Sequence, residues 1–333
     1  MNERAHECDE VVGFRTEPFC GDTFVTTAFV AGIRRKFPNA KIIARVENSL
    51  QREIFSGNPN IDEMSESINR EDVGVWFDFY GIPKVWYDEK RYPEQEQIAR
   101  VRREEIDRMM SGGPVPSREG RAAGMWMAAC LFDLLQLGRV KLTCMITDIE
   151  ATIEDASIYT SEKDQNWAKR LCGRQKVATL YNGTGRKTWS WYVDRWSQVV
   201  QYLRSRGFIV YQLGVKSDLA VEGADALLGH TTLGQAPTLI QRACLHVGTD
   251  GSMTHFAAAY RVPSVVLFGP NPAGVYGYDN QIKIVSGSCK NCWNAAPRWD
   301  MRCARGRDKE CMKSITVEQV CDAIDTAIQR FDL

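Results

Sequence analysis

The hydrophobic positions of the chain follow two periodicities in turn, which predicts strands that alternate with helices. In the N-terminal half an apolar run at 11–14 precedes a helical pattern at 22–36, and further apolar stretches follow at 41–46 and 73–79. Asp22 or Thr23 is predicted to cap the start of this helix, since both are residue types that do so. Strand, helix and strand with short connections predict a parallel α/β sheet.

The C-terminal half repeats this pattern with different spacing. Strands are predicted at 177–181, 208–213, 245–247 and 264–268, and helices at 191–206, 236–243 and 252–260. We therefore predict two similar α/β halves with a cleft between them. The predicted division is an N-terminal domain at 1–150, a polar linker at 151–175, a second domain at 176–315 and a C-terminal helix at 316–333.

Composition and charge exclude several classes of protein. The 333 residues are 44% hydrophobic and 25% charged, which excludes a disordered or fibrous chain. The 42 basic residues balance 42 acidic ones, which argues against a nucleic-acid partner. Neither a signal peptide nor an apolar run of about 18 residues is evident, so we expect a soluble cytoplasmic protein without a membrane span.

Two further segments of the N-terminal half are predicted to be helical. The stretch at 88–108 is rich in charges of both signs, which is typical of a solvated surface helix, although an insertion that faces an acceptor remains an alternative. After a break at 111–114, an apolar helix is predicted at 121–137.

The most informative segment is a strand, a tight polar turn and a small-residue helix at 246–259. Such a turn directs backbone N–H groups and the positive end of a helix at one point, which suits a phosphate. Gly251 allows close approach of an anion, Ser252 adds a hydroxyl, and His255 follows one turn later. The alternative is an ordinary connection with Asp250 as the helix N-cap.

A second polar loop at 182–189 follows the first strand of the same half. It is not a P-loop, because Arg186 stands where that motif requires glycine directly before Lys187. Since loops at the carboxyl ends of parallel strands converge, we expect Arg186 and Lys187 to meet the same phosphates.

Asp22 lies in the first strand-to-helix turn of the N-terminal half. A carboxylate at this position of a cleft can take a proton from an incoming hydroxyl. The alternative is that Asp22 only caps the helix.

Four of the eleven cysteines form a cluster near the C-terminus, with the spacing Cys289-x2-Cys292-x10-Cys303-x7-Cys311. Four thiolates can surround one structural metal ion, and in a reducing compartment disulfides are the weaker alternative. Residue chemistry alone favours zinc. The other cysteines are scattered and are interpreted as buried apolar residues: Cys8, Cys20, Cys130, Cys144, Cys172, Cys244 and Cys321.

Several of these motifs together, in order along nearly the whole chain, resemble the heptosyltransferase family. They are Gly21-Asp22-x4-Thr27, Asn58-Pro59-x-Ile61-Asp62-Glu63, Gly185-x-Lys187-x-Trp189, and Val247-Gly248-Thr249-Asp250 through to Phe268-Gly269-Pro270. The family consists of glycosyltransferases (family 9) that use ADP-heptose. The resemblance implies the GT-B fold, in which two Rossmann-like domains face a central cleft, here with a small four-cysteine metal finger.

The resemblance also implies roles for single residues. Asp22 matches the aspartate that activates the acceptor hydroxyl for inverting transfer. The positions that match donor-binding residues are Thr184, Gly185, Lys187, Lys216, Asp250, Gly251, Ser252 and His255. Lys216 stands where the lipopolysaccharide enzymes carry an acidic residue that binds ribose.

The cysteine spacing is similar to that of the protein-modifying, autotransporter branch of the family. This implies iron on Cys289, Cys292, Cys303 and Cys311, within a finger at 286–314, and a protein or saccharide acceptor. The finger is also a candidate for contacts in a homo-oligomer, through Trp293 and Trp299. Three alternatives to heptosyl transfer remain: another nucleotide-sugar donor, a nucleotide-sugar epimerase, and a metal-stapled binding subunit without turnover.

Overall fold

The chain folds into two compact units. The computed structural model describes residues 10–111, 129–183, 185–287, 289–293, 295–296 and 298–333. Unit 1 comprises the chain up to Asp107 together with Val140–Tyr159, and unit 2 comprises Arg108–Arg139 together with Thr160–Leu333. The predicted linker at 151–175 includes the end of unit 1 and a helix of unit 2 at Glu162–Cys172.

Unit 1 is built on a five-stranded sheet with the order β3-β2-β1-β4-β5. Its strands are β1 (Val11–Thr16), β2 (Lys41–Arg45), β3 (Glu63–Ser65), β4 (Val75–Phe79) and β5 (Lys84–Tyr87). β1 pairs in parallel with β2 and β4, and β5 adds an antiparallel edge to β4. The predicted strands at 11–14, 41–46 and 73–79 are confirmed, whereas β3 and β5 were not predicted.

The helices of the first part of the chain are α1 (Cys20–Lys36), α2 (Ser49–Phe55), α3 (Pro93–Ser111) and α4 (Arg139–Thr147). The prediction that Asp22 or Thr23 caps α1 is wrong, because the N-cap is Phe19 and both residues lie within the helix. The backbone N–H of Thr23 already donates to the Phe19 carbonyl at 2.9 Å. The hydrogen bonding of α1 therefore begins earlier in the chain than its polar residues predicted.

α3 accounts for the charged stretch at 88–108. It is a surface helix, as its mixed charges predicted. Its own residues Ala99 and Ile106 are buried. Glu96 and Arg103 form an ion pair with both side chains 12% exposed. Of the helix predicted at 121–137, the part up to residue 128 lies outside the described residues, and the backbone at 129–134 is helical.

Unit 2 contains a six-stranded, fully parallel sheet with the order β11-β10-β9-β6-β7-β8. Its strands are β6 (Lys176–Tyr181), β7 (Phe208–Gln212), β8 (Asp225–Ala226), β9 (Leu245–Thr249), β10 (Ser264–Phe268) and β11 (Gln281–Val285). The four strands predicted in this half are β6, β7, β9 and β10. β8 and β11 extend the sheet at its two edges.

The helices of unit 2 pack against its sheet and against one another. They are α5 (Glu162–Cys172), α6 (Val193–Ser205), α7 (Gln235–Arg242), α8 (Ser252–Ala259), α9 (Ala273–Tyr276), α10 (Glu310–Lys313) and α11 (Val317–Phe331). α6 buries Trp196, whose ring meets that of Trp191 edge to face at 4.8 Å. The same core contains Cys289 and Cys311.

None of the helices that the structure describes is both long enough and apolar enough to cross a membrane.

Candidate functional site

Each sheet reverses its strand order at one point, and in parallel α/β folds ligands bind at such a point. In unit 2 the reversal lies between β9 and β6. These strands pair in parallel, with Leu180 opposite Val247, and Leu180 also lies opposite Gln212 of β7 on the other side. The loops that follow β6, β7 and β9 therefore emerge from the same edge of the sheet.

The predicted donor-binding residues are distributed over these three loops and the helix that follows β9. Thr184 lies outside the described residues. The others are Gly185 and Lys187 after β6, Lys216 after β7, and Asp250, Gly251, Ser252 and His255 after β9. The topology thus brings the three predicted loops to a common edge, and their contact with a donor stays a prediction.

The turn after β9 ends in Gly251, which is the N-cap of α8. The alternative interpretation, in which Asp250 is the cap, is therefore wrong. Gly251 and Ser252 are partly exposed, whereas β9 is buried along its whole length. A helix start with a glycine cap presents backbone N–H groups and a positive partial charge, both of which favour an anion.

Asp250 is only 6% exposed, and its carboxylate accepts a hydrogen bond from the Asn271 side chain at 2.6 Å. A carboxylate directed at a diphosphate would repel it, so this arrangement suits a residue that fixes the turn. The side-chain oxygen of Asn271 and the hydroxyl of Thr249 are buried without a hydrogen-bond partner among the described residues. Thr249 belongs to the motif Val247-Gly248-Thr249-Asp250, whereas Asn271 directly follows Gly269-Pro270 and was not indicated by any motif.

His255 points into unit 2. Its ring is 6% exposed, and Nδ1 lies 2.8 Å from the hydroxyl of Tyr278, with the two rings edge to face. This contact fixes the orientation of the imidazole. The predicted contact of His255 with an anion stays a prediction.

The loop after β6 presents two cations in different ways. The guanidinium of Arg186 lies 4.3 Å from the centre of the Trp189 ring, a cation–π contact that holds both side chains. Lys187 is exposed. Asn182 supports the start of the loop, since its side chain accepts a hydrogen bond from Gln212 at 2.8 Å and donates one to the Leu219 carbonyl at 3.0 Å.

Asp218 is a candidate site residue that the sequence motifs did not indicate. Its carboxylate lies so close to Gly183 and Gly214 that a Cβ atom at either glycine would overlap it. It accepts a hydrogen bond from the Val215 N–H at 2.9 Å, while burial raises the pKa of Asp218 above its usual value. The sequence signal that could have indicated this contact is the pair of glycines, Gly183 and Gly214, just after two adjacent strands. Lys216, in the same loop, is exposed.

Asp22 lies at the corresponding point of unit 1. The strand order there reverses between β1 and β4, and α1 begins directly after the short connection at 17–19. Asp22 is partly exposed, whereas the next eight residues of α1 are buried. Its backbone carbonyl accepts a hydrogen bond from the Thr26 hydroxyl at 2.8 Å. The predicted action of the Asp22 carboxylate on an acceptor hydroxyl stays a prediction.

The cysteine-rich segment, defined as residues 286–314, is anchored to the same edge of the unit 2 sheet. The Trp293 N–H donates to the Pro270 carbonyl at 3.0 Å. A Cβ atom at Gly269 would lie 2.6 Å from the Met312 sulfur, so a larger residue there would require the Met312 side chain to shift. Because Cys289 and Cys311 belong to the core of unit 2, the segment is part of that unit.

The four thiols of the segment have distinct environments. Cys289, Cys292 and Cys311 are 3%, 6% and 3% exposed, and Cys303 is half-buried. Burial raises the pKa of Cys292 to about 11 and that of Cys311 to about 12, and the neighbouring cysteines act in the same direction on both. Burial also acts to raise the pKa of Cys303, but backbone N–H groups of the residues that follow it bring that pKa below the usual value.

The structure does not show the predicted metal finger. Within the described ranges, no group of three or more His, Cys, Asp or Glu side chains is arranged to hold a metal ion. The donor set itself fits a soft metal, because four free thiols, three of them buried, lie within one segment.

Comparison with known sequences finds a family match at residues 139–303. The family described as glycosyltransferase family 9 (heptosyltransferase) matches residues 139–303. A curated relative, the autotransporter heptosyltransferase Aah of Escherichia coli, is 28% identical over 148 residues. That alignment covers 39% of this chain and 38% of Aah, so the matched part spans well under half of the relative.

Solved structures share the fold. A family 9 glycosyltransferase from Veillonella parvula DSM 2008 superposes with a TM-score of 0.64 at 18% identity, over 98% of this chain and 100% of that one. TibC from enterotoxigenic E. coli H10407, described as an iron-containing dodecameric glycosyltransferase, gives a TM-score of 0.62 at 14% identity, over 96% and 78%. A second TibC structure, in complex with ADP-D-β-D-heptose, gives 0.60 at 13% identity, over 97% and 77%.

These matches confirm the resemblance inferred from the motifs. The α/β fold with parallel sheets is that of family 9 structures, which have the GT-B fold. The segment at 139–303 contains the loops after β6, β7 and β9, where the donor-binding residues were predicted. Residues 139–303 of this chain therefore match the family described as glycosyltransferase family 9 (heptosyltransferase).

Proposed function

We propose that the chain is an inverting glycosyltransferase that moves a heptose from ADP-heptose to an acceptor hydroxyl. The family 9 match at 139–303 carries the proposal, because it covers the three loops at the switch point of unit 2. The complex of TibC with ADP-D-β-D-heptose supports the choice of donor.

In the proposed reaction, Asp22 is the general base. As the acceptor oxygen forms its bond to the anomeric carbon, the acceptor proton passes to the Asp22 carboxylate. The bond between the anomeric carbon and the diphosphate oxygen breaks on the opposite face, and ADP leaves with the electron pair. Positive charge develops on the sugar ring and negative charge on the departing diphosphate.

The negative charge that develops on ADP requires fixed positive groups. Lys187 and Lys216 are exposed on the loops after β6 and β7, and the N-terminus of α8 begins at Ser252. We assign these three features to the diphosphate. Removal of one such preorganised donor typically costs about 3 kcal/mol of transition-state stabilisation.

We further propose that the cysteine-rich segment binds one structural metal ion through Cys289, Cys292, Cys303 and Cys311. The description of TibC as an iron-containing glycosyltransferase supports iron, and zinc is the alternative. With four protein ligands the ion would cross-link the segment, and we assign no chemical step to it.

We also propose an acceptor, an oligomeric state and a cellular compartment for this chain. The name of Aah, an autotransporter heptosyltransferase, supports a Ser or Thr hydroxyl of a protein as the acceptor, and a saccharide is the alternative. The dodecameric state of TibC supports a homo-oligomer of this chain. We also propose the cytoplasm as the compartment of the reaction.

The donor assignment is tested by incubating the purified protein with ADP-heptose and with other ADP-, UDP- and GDP-sugars. Mass spectrometry then measures the released nucleotide and any change in the sugar. We expect ADP release from ADP-heptose, slowly without acceptor. Release from a different donor would contradict the heptose assignment, and an isomerised sugar that stays attached to its nucleotide would indicate an epimerase. Binding without release, with any acceptor, would indicate a subunit without turnover.

A further inference from the structure

A cavity of about 620 Å³ lies within unit 2, between the loop after β6 and the cysteine-rich segment. Cavities of this size are typical of sites for small ligands. One wall consists of loop residues and the other of segment residues. The residues used in the argument are Lys187, Thr188 and Ser190 on the loop, and Arg302, Asp308 and Lys309 on the segment.

The two walls are held together by specific contacts. The backbone N–H and the hydroxyl of Thr188 both donate to the Asp300 carbonyl, at 3.2 and 3.0 Å. The ammonium group of Lys309 donates to the Ser190 carbonyl at 3.0 Å. The rings of Trp189 and Trp299 lie 5.4 Å apart. The cavity is therefore built by the fold of the segment onto the loop.

The lining carries an excess of positive charge. Lys187, Arg302 and Lys309 contribute three cations against the single carboxylate of Asp308. Lys187 and Arg302 are exposed, and Lys309 is held over the Tyr192 ring at 4.6 Å from its centre. Three cations that line one cavity favour a ligand that carries more than one negative charge, and arginine can bind phosphoryl oxygens with two parallel hydrogen bonds.

We propose that the cysteine-rich segment completes the donor site, with Arg302 and Lys309 binding the diphosphate of the nucleotide sugar opposite Lys187. This inference rests on the proposed function, since it takes the loop after β6 to hold the diphosphate. It gives the segment a second role besides cross-linking, because the segment supplies cations to the leaving group. Arg302 and Lys309 are thereby donor-binding residues that neither the sequence motifs nor the family match assigned.

The experiment measures ADP and adenosine affinity by calorimetry for the full-length protein and for Arg302→Gln, Lys309→Met and Lys187→Gln. Arg307→Gln is the matched control, because Arg307 is an exposed arginine of the same segment outside the cavity lining. We expect Arg302→Gln and Lys309→Met each to weaken ADP binding by about tenfold, the usual effect of losing one charge-assisted hydrogen bond. Adenosine affinity should stay unchanged, and so should ADP affinity in Arg307→Gln.

Each other outcome overturns the inference in a distinguishable way. If Lys187→Gln weakens ADP binding while Arg302→Gln and Lys309→Met do not, the segment is no part of the donor site and the proposed function stands. If Arg307→Gln weakens ADP binding as much as Arg302→Gln does, the effect is one of overall charge. If the wild type binds ADP and Lys187→Gln binds it equally well, or if the wild type does not bind ADP, the diphosphate assignment fails together with the inference. Arg302 is exposed, so its substitution tests the inference even if Lys309→Met fails to fold.

Discussion

The carboxylate of Asp218 lies against Gly183 and Gly214, and this contact restricts the side chains that the loops after β6 and β7 can carry. Gly183 is far from Asp218 in the sequence, so no local pattern reports the contact. Gly185 lies close to Gly183 in the same loop, yet a Cβ atom there would meet no atom within 4 Å. Two glycines of one loop therefore have different structural requirements.

This difference gives a prediction at the residue scale. Gly183→Ala should lower the free energy of unfolding by about 1–3 kcal/mol, the usual cost of overpacking a filled site. Gly185→Ala, the matched control, should change it by about 0.5 kcal/mol or less. Urea denaturation of the two variants measures both values. Equal effects of the two substitutions would show that the contact with Asp218 does not constrain the loop.

Elements whose hydrophobic pattern reflects burial were predictable from sequence. β6, β7, β9 and β10 and the helices between them lie at nearly their predicted positions, because each buries a continuous apolar run or face. β5 and β11 were not predicted, since an edge strand is specified by its pairing with a neighbour more than by its own pattern. The predicted start of α1 was wrong, because Phe19 caps it through its backbone conformation and not through a polar side chain.

The same limit applies to the candidate site. The glycine-containing turns and the basic loop were predictable, since their residue types reflect local backbone geometry. The pairing of Asp250 with Asn271 and the fold of the cysteine-rich segment onto the loop after β6 join distant positions. Such contacts depend on the sheet topology, which residue patterns do not determine.

Strand β9 contains a buried histidine that gives a prediction about pH. Burial lowers the pKa of His246 to about 3, and Nδ1 lies 3.0 Å from the hydroxyl of Thr179, its partner on β6. An unfolded histidine has a pKa of about 6.5, so the unfolded chain takes up the proton first as the pH falls. The stability that neutral His246 contributes is present above about pH 6.5 and is lost as the pH falls toward 3.

From this we expect the wild type to lose about 1 kcal/mol more unfolding free energy between pH 6 and pH 5 than His246→Gln. The glutamine keeps an oxygen that can accept from Thr179 and has no proton to gain in this range. Urea denaturation at the two pH values measures the difference. Parallel pH dependence in the two proteins would contradict the assignment.

At the scale of the whole molecule, each unit carries a candidate site at the point where its strand order reverses. Unit 1 places Asp22 after β1, and unit 2 places the basic loop and the start of α8 after β6 and β9. In the proposed function, acceptor activation belongs to unit 1 and donor binding to unit 2. The cysteine-rich segment belongs to unit 2, and its cysteines are continuous with the core of that unit.

The proposed metal gives a prediction for the whole chain. Elemental analysis of protein purified without added metal should find about one iron per chain, the stoichiometry of a single four-thiolate site. Cys303→Ser should lose most of it, because three thiolates hold such an ion less tightly. Cys244→Ser, a half-buried cysteine outside the segment, should retain it. Absence of any metal in the wild type, or full retention in Cys303→Ser, would contradict the proposal.

The proposed role of Asp22, activation of the acceptor for transfer from ADP-heptose, is decided by the variant Asp22→Asn. For the wild type and for Asp22→Asn, calorimetry measures the affinity for ADP. Mass spectrometry of the same preparations measures the rate of ADP release from ADP-heptose. We expect equal ADP affinity and a loss of about 10²–10⁴-fold in the rate of ADP release, the usual contribution of a general base. Unchanged release in Asp22→Asn would remove Asp22 from the mechanism.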